Sequence, residues 1–422
     1  MTKFLDNLKD RIAYAWRIAV IKRDYAKVER RLRSLPKGTK LKVAFLVSEV
    51  AKWKGQRVYE LMAQSQRFDP FIALMELTRN YKMPIEDLKK MAAEKTEYFA
   101  SRGMRVVDIW KYGTKNTVSA KELDADIVFY QQPWDLPKNM KPFAVAKRAL
   151  TYYFPYYTPD GWDLKLQLGH KLFHFLYRYI VCNRVTAEMY KQSERNFIGG
   201  YATKYLPLGH PTLDEIPYDE NPNSKGCVIY APHWSICYGD TNPPIKYSTF
   251  LENGRMILGY AKQHPEVKWA FKPHPELRLV LVNSGAWTRA EVDEYYNEWE
   301  RIGEACYTGE GDYLKLFSKS RAMITDCSSF LTEYGCTGKP IIHLISSKYN
   351  GGAHPAVGKL YDYYYNAHNE AEMLSMFDQV IIRGEDLLGS QRRGELKAAN
   401  LTGHNVAESI INSILNDKDI LI

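Results

Sequence analysis

The chain has 422 residues, of which 45% are hydrophobic and 25% charged, so its composition excludes extended disorder, collagen and low-complexity repeats. No apolar run approaches the about 18 residues of a membrane span, and charges interrupt every apolar stretch near the N-terminus, as a signal peptide would not allow. Six cysteines without C-x-x-C spacing predict reduced thiols in a cytoplasmic protein.

The formal net charge of +9 is concentrated in residues 1–40, which hold twelve Lys or Arg against four acids. The rest of the chain is close to neutral, which argues against a nucleic-acid partner. Residues 1–38 predict a basic amphipathic helix, with an apolar face made of Phe4, Leu5, Leu8, Ile12, Trp16, Ala19 and Val20. This face either docks on the domain behind it or lies on an anionic membrane surface.

Short apolar runs alternate with helical segments from residue 39 to 206, which predicts a first Rossmann-like domain. The expected strands are Leu41–Val47, Phe71–Glu76, Met104–Trp110, Asp126–Tyr130, Ala149–Phe154 and Tyr179–Cys182. A stretch rich in Pro and acids, 207–224, then predicts a linker.

The alternation restarts over residues 225–390, which predicts a second Rossmann-like domain, and residues 391–422 predict closing helices. The expected strands are Cys227–Ala231, Trp269–Lys272, Ala322–Thr325 and Pro340–Leu344. The predicted fold class is therefore α/β, with two doubly wound domains facing a cleft and an N-terminal basic helix. Ligands of such sheets bind beyond the carboxyl ends of the strands.

Polar residues follow three of the expected strands of the second half. Thr325-Asp326-Cys327-Ser328-Ser329 ends one strand and begins a helix, where phosphate binds well, although a plain helix cap explains the same residues. One turn later, Glu333 is placed to bond a ribose hydroxyl.

Histidines beside prolines mark the other strand ends. His274 lies between two prolines, with Lys272 and Arg278 in the same segment, and His233 follows Tyr230-Ala231-Pro232. His210 stands before Pro211, where the second half begins. No metal-ligand spacing, P-loop, G-x-S-x-G or G-x-G-x-x-G motif occurs in the sequence. We therefore expect neither a bound metal ion nor a cofactor.

Taken in order, these segments resemble the CDP-glycerol glycerophosphotransferase family of teichoic acid and capsule biosynthesis. The likeness covers residues 205–345 and rests on the Gly209-His210-Pro211, Tyr230-Ala231-Pro232 and His274-Pro275 turns and on Thr325–Ser329 followed by Gly338-Lys339-Pro340. The family's architecture is GT-B, which agrees with the two halves inferred above. The family's acceptor-domain Trp-His-Gly turn has no counterpart after Tyr152-Tyr153-Phe154.

The resemblance implies that the donor domain holds a cytidine diphosphate. In that case Ser328, Ser329, Lys272, Arg278, Glu333 and His210 bind the donor and its phosphates. His274 offsets the charge that develops on phosphate, and His233 or Asp160 is the base that replaces the absent family histidine. An aromatic cluster either binds the acceptor or packs as a tyrosine-rich loop on the domain body: Tyr152, Tyr153, Tyr156, Tyr157 and Trp162.

The leading functional hypothesis is transfer of a phospho-polyol from a CDP-activated donor to a lipid-linked or oligosaccharide acceptor. A glycosyltransferase that uses a nucleotide sugar and a non-enzymatic nucleotide- or carbohydrate-binding subunit remain alternatives. The basic helix over residues 1–35 predicts peripheral contact with the inner face of the cell membrane.

Overall fold

A computed structural model describes residues 2–114, 116–156, 168, 170–198, 204–219, 226–302, 305–306, 313–402, 405–418 and 420. The chain divides into two compact units. Unit 1 comprises Met1–Tyr157, Leu166–Asp214 and His404–Ile422, and unit 2 comprises Thr158–Lys165 and Glu215–Gly403. The division at Asp214 falls inside the stretch 207–224 that the sequence indicates as a linker.

Unit 1 is built on a parallel sheet. Its strands, with a short antiparallel pair (β4 and β5) beside them, are β1 Leu41–Val47, β2 Phe68–Leu74, β3 Val106–Asp108, β4 Trp110–Lys111, β5 Asn116–Thr117, β6 Ile127–Tyr130, β7 Leu150–Tyr153, β8 Arg178–Val181 and β9 Lys204–Pro207. Within the described residues, the main sheet has seven strands in the order β3-β2-β1-β6-β7-β8-β9. Apart from the small hairpin, this is the Rossmann strand order. Successive strands are added on one side of β1 up to β3 and on its other side from β6 onward, while all of them run parallel.

Unit 2 repeats the same topology. Its strands are β10 Cys227–Ala231, β11 Trp269–Phe271, β12 Ala305–Cys306, β13 Ser320–Thr325, β14 Ile341–Leu344 and β15 Tyr365–Ala367. The order is β12-β11-β10-β13-β14-β15, and all neighbours whose register is defined run parallel. The strand order reverses between β10 and β13, both of them almost fully buried because helices cover a parallel sheet on both faces.

The helices connect these strands. In chain order they are α1 Thr2–Arg33, α2 Gln56–Gln64, α3 Ile85–Ala100, α4 Ala120–Leu123, α5 Pro142–Val145, α6 Arg184–Ile198, α7 Phe250–Gln263, α8 Leu277–Asn283, α9 Arg289–Ile302, α10 Tyr313–Lys319, α11 Ser328–Glu333, α12 Glu370–Met376, α13 Gly389–Ala398 and α14 Val406–Leu415. Among the described residues, no helix has both the length and the hydrophobicity that a membrane crossing requires. The predicted class of two doubly wound α/β domains is confirmed.

The helix α1 forms where the basic segment predicts it, but it buries a different face from the expected one. Its buried stripe is Tyr14, Ile18, Ile21, Tyr25, Val28 and Leu32, spaced at three and four residues. Ile12 and Trp16, placed on the apolar face by the sequence, are each 62% exposed, so this part of the apolar face does not dock on the domain. Side chains of residues 2–11 lie outside the described part.

Polar contacts hold α1 on unit 1. The Tyr25 hydroxyl donates to the Phe175 carbonyl at 2.7 Å and also contacts Thr151 on β7. Arg31 donates from its guanidinium to the Asp126 carboxylate at 2.7 Å. Each bond satisfies a group that burial would otherwise leave without water, so the described part of the helix docks on its own domain.

The segment that closes unit 1 lies late in the chain. Asp214 accepts hydrogen bonds from the Val406 and Ala407 N–H groups at 2.8 and 2.7 Å, which caps α14. Gly209 adopts a φ of +107°, and a Cβ there would stand 2.6 Å from a Val406 methyl carbon, so only glycine fits. The Gly209–Asp214 turn therefore joins α14 to the body of unit 1.

Candidate functional site

Three polar segments of unit 2 meet at the carboxyl ends of adjacent strands. Pro232–Ser235 follows β10, Lys272–Glu276 follows β11, and Asp326–Ser329 follows β13. The strand order reverses between β10 and β13, and such a reversal opens the crevice where open α/β sheets bind ligands. This edge of the sheet is the candidate site.

His233 is held as a neutral imidazole. Its Nδ1 accepts the Ser235 N–H at 3.2 Å and lies 2.8 Å from the Ser235 hydroxyl, which itself accepts the Tyr247 N–H at 3.1 Å. With Nδ1 accepting, the proton belongs on Nε2. Burial, and then the charge of His274, lower the pKa of His233 well below its ordinary value, so the neutral form persists near pH 7.

His274 repeats this arrangement on the next strand. Its ring Nδ1 accepts the Glu276 backbone N–H at 3.2 Å, and the backbone N–H of His274 donates to the Pro232 carbonyl at 3.0 Å. Burial, and then the Lys272 ammonium, lower the pKa of His274 to about 4. The His233 and His274 ring centroids are 5.2 Å apart. Within the described residues, no hydrogen bond is formed by either Nε2.

Asp326 ties these segments together. One carboxylate oxygen accepts the His233 N–H at 2.6 Å, and the other accepts the Thr249 N–H and hydroxyl at 2.6 and 3.0 Å. Burial raises the pKa of Asp326 to about 6, against the lowering effect of these bonds. Asp326 thus fixes the loop after β10 to the end of β13.

Ser328, Ser329 and Glu333 lie on α11, directly after Asp326. Ser328 is 9% exposed and Glu333 is 4% exposed, whereas Ser329 is half-buried with its hydroxyl 3.4 Å from the Cys327 sulfur. The turn before them is fixed by Thr325, whose hydroxyl donates to the Ala231 carbonyl at 2.6 Å and accepts the Cys327 N–H at 3.0 Å.

Positive charge lies beside the histidines. Lys272 is 6% exposed and directly follows β11. Two cations and one acid, Lys246, Lys348 and Glu252, line a small adjoining cavity of about 20 Å³ together with Ser235 and Ser346. Cations next to neutral N–H donors are the groups that bind phosphate oxygens.

Two of the predicted phosphate-binding residues are engaged elsewhere. The Arg278 guanidinium pairs with the Asp293 carboxylate at 2.5 Å and lies over the Tyr296 ring. His210 belongs to unit 1, where its Nε2 bonds the Pro155 carbonyl at 2.8 Å and its Nδ1 accepts the Thr212 N–H at 3.2 Å. Burial lowers the pKa of His210 to about 4. Both ring nitrogens of His210 are therefore used in its own domain.

The structure contradicts the acceptor role of two tyrosines. Tyr152 and Tyr153 are 0% exposed, because they lie on β7, a central strand of the unit 1 sheet. Tyr152 packs on Phe129 at 5.2 Å between ring centroids, and Tyr153 on Tyr179 at 4.8 Å. They are core residues. Tyr156 is half-buried, with the Lys52 ammonium 5.2 Å from its ring centroid, while Tyr157, Asp160 and Trp162 lie outside the described residues.

The Lys-Pro block is structural. Lys339 is 4% exposed, and its ammonium donates to the Phe317 and Ser320 carbonyls, each at 2.7 Å, and to the Ser318 carbonyl at 3.2 Å. These carbonyls lie where α10 ends and β13 begins, so Lys339 caps the helix before the strand that carries Asp326.

Sequence patterns did not reveal three residues that order the site: Ser235, Tyr247 and Thr249. Their roles depend on contacts with distant positions, above all the bond from Thr249 to Asp326. The one available signal was Asp326, an acid directly after a strand. Among the described residues, no cluster of three or more His, Cys, Asp or Glu is arranged to hold a metal ion.

No model of a known protein family matches this chain, and no curated protein matches it. Solved structures do. S. aureus MnaA in complex with UDP is 12% identical over 89% of this chain and 96% of its own, with a TM-score of 0.52. UDP-GlcNAc 2-epimerase from Neisseria meningitidis bound to UDP-GlcNAc is 13% identical over 90% and 100%, also at 0.52.

The wall teichoic acid polymerase TagF, as its H444N variant with CDPG, is 12% identical over 97% of this chain and 98% of its own, with a TM-score of 0.50. At such identities the likeness shows the fold alone. The chain has the GT-B fold, built from two Rossmann-like domains.

Proposed function

We propose that this chain is a transferase that moves a phospho-polyol, glycerol phosphate or a similar group, from a CDP-activated donor to an acceptor hydroxyl in bacterial cell-surface polysaccharide or teichoic acid synthesis. The proposal rests on the resemblance of residues 205–345 to the CDP-glycerol glycerophosphotransferases and on the chemistry of the unit 2 site. The GT-B fold is compatible with it.

The observation that carries the proposal is the pair of neutral imidazoles, His233 and His274, 5.2 Å apart at the carboxyl ends of β10 and β11. Each Nδ1 is occupied as an acceptor, so each Nε2 is an N–H donor without a protein partner among the described residues. Such fixed donors suit an oxygen that gains negative charge, and removal of one typically costs about 2.7–4 kcal/mol of transition-state stabilisation.

In the proposed step, the acceptor oxygen attacks the β-phosphorus of the donor in line. The new P–O bond forms as the bond from that phosphorus to the bridging oxygen breaks, and CMP leaves with the bridging oxygen. Lys272, Ser328 and Ser329 hold the donor phosphates, and Glu333 bonds the ribose.

The acceptor proton must pass to a base. His233 and His274 carry their proton on Nε2, which suits donors better than bases. Of the two bases that the sequence suggests, His233 and Asp160, we therefore propose Asp160, which lies outside the described residues.

The second candidate is an enzyme that acts on a nucleotide sugar, favoured by the UDP and UDP-GlcNAc bound in two of the similar structures. One assay separates the candidates: purified protein with an oligosaccharide or lipid-linked acceptor and, as donors in turn, CDP-glycerol, other CDP-polyols and UDP sugars, followed by chromatography of the nucleotides. We expect CMP. Release of CDP or UDP would assign glycosyl transfer instead, an altered sugar without nucleotide release would assign epimerisation, and no reaction would favour a binding subunit.

We also propose that α1 brings the protein to an anionic membrane, where a lipid-linked acceptor would be met. Its exposed cations include Lys22, Arg23, Lys27 and Arg30, each worth about 1 kcal/mol near such a surface.

Sedimentation with anionic liposomes at low salt tests the membrane contact. We expect Lys22→Glu/Arg30→Glu to release the protein, while the matched reversal of two exposed lysines elsewhere in unit 1, Lys90→Glu/Lys121→Glu, leaves it bound. Equal release by both pairs would show that net charge, and not this helix, drives the binding.

A further inference from the structure

Unit 1 contains an open groove of about 820 Å³ that none of the roles above uses. Its volume lies within the range of about 300–1,000 Å³ that is typical of small-molecule sites. Its walls come from α1 and from the segments that follow β2 and β6 and precede β8, and they include Trp16, Arg17, Trp134, Lys141, Phe143 and Phe175.

Two pairs of aromatic rings line the groove. Phe143 and Phe175 meet edge to face with centroids 6.2 Å apart, and Trp134 meets His170 in the same way at 5.3 Å. The loop behind them is fixed, because the Thr78 N–H donates to the Asp135 carbonyl at 2.9 Å. The groove is therefore a formed feature of the domain with mainly apolar walls.

One end of the lining is turned outward. Trp16 borders the groove and is 62% exposed, and so is Ile12, one helical turn earlier on the same face of α1. The helix docks through Tyr14, Ile18 and the rest of its buried stripe, so docking does not account for these two apolar side chains. They extend the apolar wall of the groove along the surface.

The charges at the rim indicate what the groove holds. The charged residues of its lining are two exposed cations, Arg17 and Lys141, and one exposed acid, Asp135. Arg17 also belongs to the exposed basic face of α1. An apolar channel with a net positive rim complements a molecule that has a hydrocarbon chain and an anionic head.

We propose that this groove binds the hydrocarbon chain of an amphiphile with a phosphate head group, with the chain along Trp16, Trp134, Phe143 and Phe175 and the phosphate at Arg17 and Lys141. This proposal rests on the proposed function in one respect, because the amphiphile in the groove would be the acceptor of the transfer reaction. Binding is measured without a donor, so the two proposals fail separately.

The test is calorimetric titration of the full-length protein with dodecyl phosphate below its micelle concentration. Dodecyl maltoside supplies the chain with a neutral head, and inorganic phosphate supplies the head without a chain. We expect dodecyl phosphate to bind, dodecyl maltoside to bind more weakly, and inorganic phosphate to give no heat.

Variants locate the binding. We expect Trp16→Ala and Phe143→Ala each to weaken dodecyl phosphate by about tenfold, the change in affinity that corresponds to about 1.4 kcal/mol. Trp16→Phe should restore most of the affinity. Arg17→Gln/Lys141→Gln should remove the preference for phosphate over maltoside. Leu279→Ala and Leu387→Ala, which truncate exposed leucines of unit 2, are the controls and should bind as wild type.

Three results would overturn the proposal. The first is equal affinity of the wild type and the folded Trp16→Ala and Phe143→Ala proteins. The second is equal binding of dodecyl maltoside and dodecyl phosphate, which would remove the role of the cations. The third is binding of an amphipathic helical peptide without binding of dodecyl phosphate, which would assign the groove to a protein partner.

Discussion

The turn that His210 forms in unit 1 recurs at His274 in unit 2, with different consequences. In His210-Pro211 of unit 1 and His274-Pro275 of unit 2, the histidine Nδ1 accepts the N–H two residues later, at 3.2 Å in both. Burial lowers both pKa values to about 4. The difference is the second nitrogen: His210 uses its Nε2 on the Pro155 carbonyl at 2.8 Å, whereas that of His274 has no partner among the described residues.

In both histidines the Nδ1 serves a backbone turn, so the two differ only at the second ring nitrogen, and we propose a role in transfer for His274 alone. His210 and His274 are thus matched controls for each other. Substitution should cost stability at the first and transfer at the second.

The largest expected effect is loss of transfer in His274→Ala. Removal of an N–H donor to a charge that develops in the transition state should lower kcat by about 100- to 1,000-fold. The rate of CMP release from the CDP-activated donor measures it, and circular dichroism checks the fold. His210→Ala should keep its turnover per folded molecule, so a His274→Ala enzyme with near-normal turnover would refute the assignment.

Acid should destabilise the protein through its buried neutral histidines. The pKa of His210 is about 4 in the folded protein against an ordinary 6.5, so between these pH values the unfolded chain binds more protons than the folded one. The free energy of unfolding is therefore at its full value above about pH 6.5 and decreases as the pH falls towards 4. The loss is about 3 kcal/mol, at about 1.4 kcal/mol per pKa unit.

Urea unfolding at pH 7 and at pH 4.5 measures this loss. His210→Gln should flatten the dependence on pH and lower the stability at pH 7. An unchanged dependence in this variant would mean that His210 already binds its proton in the folded state near pH 6.

A smaller effect is expected from the serines of α11. Ser328→Ala and Ser329→Ala should each weaken donor binding by about 0.5–1.5 kcal/mol, the net contribution of one neutral hydrogen bond. Calorimetric titration with the CDP-activated donor checks this. If the double variant binds the donor as tightly as wild type, these hydroxyls serve the turn alone.

The smallest effect is expected at Arg278. Its pair with Asp293 is 44% and 40% exposed, and such pairs contribute about 0–1 kcal/mol to stability. Arg278→Gln should therefore leave CMP release unchanged and the unfolding midpoint nearly so. A large loss of turnover would show that Arg278 leaves Asp293 to contact the donor.

Strand ends were predictable from sequence because the chain marks them twice, by an apolar run and by the proline or polar cluster after it. Leu41–Val47 and Cys227–Ala231 are strands with the predicted bounds. The two-residue strand β12 and the three-residue strand β15 were not predicted, since runs so short carry no periodicity. Pairing with longer neighbours makes them strands.

Tyrosine explains the main errors. On α1 the buried stripe depends on Tyr14 and Tyr25, whose hydroxyls find partners inside the domain, while the more hydrophobic Trp16 remains outside. On β7, Tyr152 and Tyr153 suggested a sugar-binding surface, yet they pack within a central strand. Residue type alone does not show whether a tyrosine ring packs in the core or lines a binding surface.

The cap that Asp214 provides for α14 bears on how the protein is made. Val406 and Ile410 are buried in unit 1, so this domain is finished by a helix that follows the whole of unit 2 in the chain. At about 5–20 residues per second, the ribosome needs on the order of tens of seconds between β1 and this helix. During that interval the nascent first domain exposes the apolar surface that α14 later covers. We therefore expect chaperones to bind this domain mainly before α14 has been synthesised.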